Sequence, residues 1–103
     1  LNQRSQDMLT ASNWNVCQYA VLVHMMARSA GLEAGELVHV IADCHIYDRH
    51  VPLVEELLRR EPRPAPRLAV DPAVTDFYAF TADSFRLEGY EPWSFAEKIE
   101  VAL

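Results

Sequence analysis

The chain has 103 residues, half of them hydrophobic and 23% charged, with a net charge of −6. This composition is typical of a globular protein, and the acidic balance argues against nucleic acid as a partner, because a phosphate backbone needs a basic face. Every apolar run is shorter than the ~20 residues of a membrane span, and no signal peptide opens the chain, so we expect a cytoplasmic protein with no membrane partner.

A polar strand and a long apolar helix open the chain. The strand sequence Leu1–Asp7 precedes a loop in which Ser12 or Asn13 can cap the next element. The spacing predicts a helix over Trp14–Ala30, closed by Gly31 at its carboxyl end. Because this helix is apolar almost all round, we expect it to be buried on several sides, in something larger than this chain supplies.

Shorter elements follow. The apolar run Glu36–Tyr47 predicts a strand, and Pro52 lies in the first turn of an amphipathic second helix with exposed i,i+4 ion pairs. Residues 61–67 carry alternate prolines and predict an extended connector. Four short strands are expected after it: Leu68–Val70, Phe77–Phe80, Phe85–Tyr90 and Lys98–Leu103. The pattern predicts an α/β (α+β two-layer) fold, with helices packed on a mixed β-sheet.

The end of the long strand carries a cluster of polar side chains. In a strand, Asp43, His45 and Tyr47 share one face, and Cys44 lies on the other. Three interpretations are open: a ligand site, a structural strand whose polar groups satisfy each other, or a metal site with His50 as a further ligand. The metal site is the poorest of these, because Cys44 points the wrong way.

Other polar residues could also carry chemistry. The guanidinium fork of Arg4 matches phosphate oxygens, and the hydroxyl of Ser5 adds a donor beside it. The amide of Asn15 can read a base edge that presents a donor beside an acceptor, or it can cap the helix. Cys17 and Cys44 do not make a disulfide framework, and we expect both to be buried free thiols.

In chain order, these residues resemble the carboxy-terminal portion of thymidylate synthases. The resemblance covers the whole chain and rests on five segments: Gln3-Arg4-Ser5-Gln6-Asp7, Asn15 with Tyr19, Asp43-Cys44-His45-Ile46-Tyr47, Arg60-Glu61-Pro62-Arg63-Pro64 and Glu88-Gly89-Tyr90. It implies that residues 1–103 form the carboxy-terminal part of a single domain, in an enzyme that is a homodimer. The implied reaction is the reductive methylation of dUMP to dTMP with 5,10-methylenetetrahydrofolate.

The resemblance implies roles on the nucleotide side. Arg4 and Ser5 match the positions that hold the phosphate. Asn15 matches the amide that reads the uracil edge and favours uracil over cytosine. His45 and Tyr47 match the pair that binds the sugar 3′-hydroxyl.

Folate binding is implied for three further residues. Asp7 matches a carboxylate that contacts the pterin and so belongs beside both the nucleotide and the folate. Trp14 keeps an aromatic group in the folate wall, although Thr10 and Ala11 before it depart from the usual family sequence. Ala102 lies in the apolar tail that closes over the ligands. The resemblance implies no metal.

The nucleophile of such an enzyme is a cysteine in a Pro-Cys-His context, about twenty residues before the Gln-Arg-Ser motif in the family pattern. Neither Cys17 nor Cys44 has this context, so no catalytic residue is expected in these residues. The chain starts without Met and closes on Val101-Ala102-Leu103, which predicts a piece of a longer protein. We expect the piece alone to be inactive. The alternative is a nucleotide-binding module that has lost catalysis.

Overall fold

A computed structural model describes residues 1–95 and 98–100. Two compact units divide the chain. The first contains Leu1–Gln18, Val38–Pro62 and the described residues from Trp93 onward, and the second contains Tyr19–Leu37 and Arg63–Pro92. None of the helices described here is both long and apolar enough to cross a bilayer.

The first unit is built on a pair of parallel strands. β1 (Asn2–Asp7) pairs with β2 (Val40–His45), with Ser5 opposite Asp43 and Asp7 opposite His45. The predicted second strand is too long, because the ladder reaches only as far as its six-residue partner.

Helix α1 (Ser12–Ser29) begins two residues earlier than predicted and ends one residue earlier. At its carboxyl end Leu32 N–H donates to the carbonyl of Ala27 over 2.8 Å, and Gly31 N–H donates to that of Arg28 over 3.2 Å. This pair of hydrogen bonds requires a residue with left-handed backbone conformation, and Gly31 has a φ of 68°. The predicted glycine stop is therefore confirmed.

Helix α1 is largely exposed in the described part of the chain, where only Ala27 of this helix is buried and Trp14 is 73% exposed. Its burial was expected in something larger than this chain supplies, and these residues do not test that. The prediction that Cys17 and Cys44 are buried is wrong, although both are free thiols. The physical reason is that two-stranded sheets offer too little apolar surface to cover a helix that is apolar all round.

A 3-10 turn (Asp48–His50) leads into α2 (Val51–Leu58), with Pro52 in its first turn as predicted. Two predicted i,i+4 ion pairs are present on this helix. They join Glu55 to Arg59 over 3.7 Å, and Glu56 to Arg60.

The second unit holds an antiparallel pair, β3 (Arg67–Val70) and β4 (Phe85–Glu88). The strand predicted at Phe77–Phe80 is wrong, since Phe77–Ala79 form a 3-10 turn. The side chain of Asp76 accepts a bond from Tyr78 N–H over 3.0 Å and stabilises that turn.

The last predicted strand, Lys98–Leu103, is not found at residues 98–100, and residues 101–103 lie outside the described residues. Helices and small sheets, one parallel and one antiparallel, agree with the predicted α/β (α+β two-layer) class. In the described residues the strands form two separate pairs.

Candidate functional site

Asn15 lies in the first turn of α1, and its amide is held by side chains of β1. Its Oδ1 accepts a hydrogen bond from Gln3 Nε2 and another from Gln6 Nε2, each over 3.1 Å. The oxygen is therefore engaged within the protein, and the amide nitrogen is the end left to donate to a ligand. Asn15 is thus oriented by its neighbours, and the capping interpretation has no hydrogen bond to support it in the described residues.

A histidine extends this cluster. Gln3 Oε1 lies 2.9 Å from Nε2 of His39, and a carbonyl oxygen can only accept, so this ring nitrogen carries the proton. The chain His39–Gln3–Asn15 fixes the direction of each amide in turn. The sequence analysis assigned no role to His39, which lies in the predicted strand Glu36–Tyr47 and, in the structure, just before β2.

Gln6 is the most buried polar residue of the cluster, with 1% of its surface exposed. Its Nε2 also donates to the carbonyl of Asp7 over 3.2 Å, whereas its Oε1 is buried without a hydrogen-bond partner. A buried polar side chain of this kind costs stability unless it is bonded, which argues that Gln6 serves to hold Asn15.

The predicted polar face of β2 is present. Asp43 Oδ2 accepts a bond from the hydroxyl of Ser5 over 3.3 Å, and its Oδ1 lies 3.4 Å from Nδ1 of His45. The second contact is only an approach, since Nδ1 of His45 has no partner with hydrogen-bond geometry. The rings of His45 and Tyr47 meet edge to face, with centroids 5.2 Å apart. Asp43 therefore holds Ser5, and the imidazole and phenol form a separate pair.

The metal interpretation finds no support. In the described part of the chain no group of three histidine, cysteine or acidic side chains is arranged to hold an ion. His50 is 2% exposed, and its Nε2 bonds to the carbonyl of Glu100 over 2.9 Å instead of joining Asp43 and His45.

Asp7 closes the turn between β1 and α1. Its Oδ1 accepts from the N–H groups of Leu9 and Thr10 over 3.0 and 3.2 Å, and its Oδ2 accepts from the Thr10 hydroxyl. Burial alone would raise the pKa of Asp7, but these hydrogen bonds and the nearby His50 outweigh it and hold the pKa below its ordinary value. Asp7 is an ionised group at the end of β1, next to His45 across the ladder.

The remaining predicted residues lie in different surroundings. Arg4 is exposed and lines a shallow groove with Asn2, Val40 and Ala42, and no contact among the described residues joins its side chain to Ser5. Trp14 is exposed one residue before Asn15, and Ala102 lies outside the described residues.

Cys17 and Cys44 are exposed free thiols.

Comparisons with known proteins agree with the resemblance. A family model described as thymidylate synthase matches residues 1–103. Among solved structures, the thermostable thymidylate synthase A from Bacillus subtilis superposes with a TM-score of 0.87 and is 39% identical in sequence. The match covers 99% of this chain and 36% of the Bacillus chain, so this chain spans little more than a third of that relative's length. The predicted fold class is thereby confirmed.

Proposed function

This chain belongs to the thymidylate synthase family, and we propose that the protein containing it converts dUMP to dTMP. The one-carbon unit and the reducing equivalent come from 5,10-methylenetetrahydrofolate, which leaves as dihydrofolate. The observation that carries the proposal is the 39% identity with the Bacillus subtilis enzyme along 99% of this chain.

Nucleotide binding is the contribution we assign to the first unit. Asn15 reads the uracil ring, with its amide nitrogen donating to a carbonyl oxygen of the base. The fixed direction of the Asn15 amide supports this role, because both glutamine donors point at its oxygen. His45 and Tyr47 bind the sugar 3′-hydroxyl, since each offers a polar atom at the end of β2.

In this proposal Arg4 and Ser5 bind the phosphate of dUMP. Arg4 makes no ion pair with another described residue, so its charge is available to an anion. Ser5 would exchange its 3.3 Å bond to Asp43 for one to a phosphate oxygen.

Folate contacts are proposed for Asp7, Trp14 and Ala102. The lowered pKa of Asp7 keeps a carboxylate available to accept from a pterin ring. The exposed Trp14 offers an aromatic face for stacking.

The attacking thiolate comes from outside these 103 residues, because neither Cys17 nor Cys44 has the Pro-Cys-His context of the family nucleophile. We further propose that residues 1–103 are the carboxy-terminal part of one domain and that the full-length enzyme is a cytoplasmic homodimer. It uses no metal, because the one-carbon transfer is carried by the folate.

The test is a turnover assay on the complete protein with dUMP and 5,10-methylenetetrahydrofolate, following dihydrofolate by its absorbance. We expect stoichiometric dTMP and dihydrofolate. Residues 1–103 expressed alone are the matched control and should give neither product. Turnover by residues 1–103 alone would show that the nucleophile lies within them, and an inactive complete protein that binds dUMP would favour a non-catalytic nucleotide-binding module.

A further inference from the structure

His50 is a buried histidine that the proposed function does not use, and the metal site in which it was a candidate ligand finds no support in the described residues. Its Nε2 lies 2.9 Å from the main-chain oxygen of Glu100, fifty residues further along the chain. A carbonyl oxygen only accepts, so Nε2 carries the ring proton. The other ring nitrogen, Nδ1, is buried without a hydrogen-bond partner. A buried ring nitrogen without a hydrogen-bond partner lowers the stability of the fold. This cost suggests that His50 is retained for the contacts that its ring makes.

The ring of His50 also touches the candidate sugar-binding pair. Its centroid lies 5.9 Å from that of Tyr47 at an interplanar angle of 82°, and Tyr47 meets His45 at 5.2 Å and 87°. Both arrangements are the edge-to-face contacts that aromatic rings prefer. The ring of Tyr47 therefore contacts both imidazoles, and these three rings form the row His45–Tyr47–His50. At its buried end, His50 is hydrogen-bonded to the carbonyl of Glu100.

Tyr47 depends on this row for its position. Its side chain is 41% exposed, and its hydroxyl has no partner among the described residues. Its own carbonyl accepts from His50 N–H over 2.8 Å, which holds its main chain to the same residue. With the phenol tip free, the edge contacts of the two imidazoles are what set the direction in which the hydroxyl points.

We propose that His50 is a positioning residue for nucleotide binding. Anchored by the carbonyl of Glu100, its ring fixes Tyr47 with the hydroxyl directed at the nucleotide sugar. This inference rests on the proposed function, because it assumes that Tyr47 binds dUMP.

The experiment is a double-mutant cycle on the complete protein, with the dissociation constant of dUMP measured by calorimetry. We expect Tyr47→Phe to weaken dUMP binding about tenfold, because one hydrogen bond is lost. His50→Leu should weaken it about fivefold, because the ring that positions Tyr47 is lost. The double variant should be no weaker than Tyr47→Phe, because His50 acts only through the hydroxyl that this variant lacks. A purely structural histidine would instead give multiplied effects.

One amide variant completes the design and needs no apolar substitution. In His50→Gln the side-chain nitrogen can donate to the Glu100 carbonyl in place of Nε2, but the side chain has no ring to contact Tyr47, so it should bind dUMP about as weakly as His50→Leu. A histidine that only holds the Glu100 carbonyl would be rescued by this variant. If His50→Leu does not fold, His50→Gln takes its place in the cycle.

Multiplied effects in the cycle, or a His50→Gln variant that binds dUMP as tightly as wild type, would overturn the inference. A wild-type protein that binds no dUMP would remove the proposed function and the inference together. Wild-type binding with unchanged His50 variants would remove the inference alone.

Discussion

The parallel and antiparallel strand pairs differ in the sequence separation between residues whose side chains form hydrogen bonds. Across the parallel pair, Ser5 of β1 bonds to Asp43 of β2, and Gln3 of β1 bonds to His39, just before β2, over 38 and 36 residues of sequence. Between β3 and β4, the side chain of Asp76 bonds two residues away and that of Ser84 bonds three residues away; the Arg63–Glu91 pair, which spans 28 residues, lies outside that segment.

The difference follows from strand direction. Parallel strands need a long crossover, here the segment that contains α1, so their ladder joins distant parts of the chain. In the candidate site, Gln3 of β1 joins His39, 36 residues away, to Asn15, 12 residues away, whereas the turns between β3 and β4 satisfy their polar groups within a few residues. A parallel pair can therefore bring distant residues together at a candidate site, whereas local bonds hold the turns of the antiparallel pair.

The largest expected effect is on base selectivity at Asn15. In the complete protein, Asn15→Asp keeps an oxygen for Gln3 and Gln6 but replaces the outward amide donor by an acceptor. The preference for dUMP over dCMP should then fall by about 100-fold, because the carboxylate accepts from the cytosine amine. Measuring kcat/KM for both nucleotides checks this, and an unchanged ratio would remove Asn15 as the base reader.

A smaller effect is expected at Tyr47. Tyr47→Phe keeps the ring that packs on His45 and removes only the hydroxyl. KM for dUMP should rise about tenfold, from the loss of one hydrogen bond worth ~1–1.5 kcal/mol, with kcat little changed. Steady-state kinetics separate the two constants. A drop in kcat alone would contradict a binding role.

The contribution of Asp7 to the first unit can be measured as an unfolding free energy and its dependence on pH. Asp7→Ala should cost about 1.5 kcal/mol of unfolding free energy, because two N–H groups and the Thr10 hydroxyl lose their acceptor; charge adds little at this partly solvated site. The folded pKa is lowered, so the contribution of the charge is present above the unfolded pKa of about 3.9 and is lost as the pH falls through the folded pKa.

Urea unfolding of wild type and Asp7→Asn across this pH range gives the control. The Asn variant keeps an acceptor but cannot titrate, so its stability difference from wild type should shrink as the solution is acidified. A difference that stays constant with pH would show that the charge of Asp7 is irrelevant to folding.

The smallest effect is expected in the segment between β3 and β4. Ser84 is 6% exposed, and its hydroxyl accepts from Thr81 N–H over 3.1 Å. Ser84→Ala should lower the unfolding free energy by about 1 kcal/mol and leave KM for dUMP unchanged. A changed KM would show that the β3 and β4 unit takes part in binding after all.

Local chemistry explains what could be predicted from the sequence. Gly31 ends α1 because its backbone must be left-handed there, and Pro52 opens α2 because its missing N–H is tolerated in a first turn. The contact between His45 and Tyr47 agrees with the predicted shared face, because the extended backbone with a two-residue period continues beyond β2 to Tyr47. The 3-10 turn at Phe77–Ala79 was missed because a side-chain bond from Asp76 outweighs the strand preference of aromatic residues.

The sequence by itself determined the family and the residue types of the candidate site, because motifs are read from residue identity and spacing alone. Only the tertiary structure decided which groups those residues meet. Gln3 and Gln6 direct the amide of Asn15 over 12 and 9 residues of sequence, and His50 joins Tyr47 to the carbonyl of Glu100 over 50 residues. Side-chain orientation depends on such neighbours, and no local pattern encodes them.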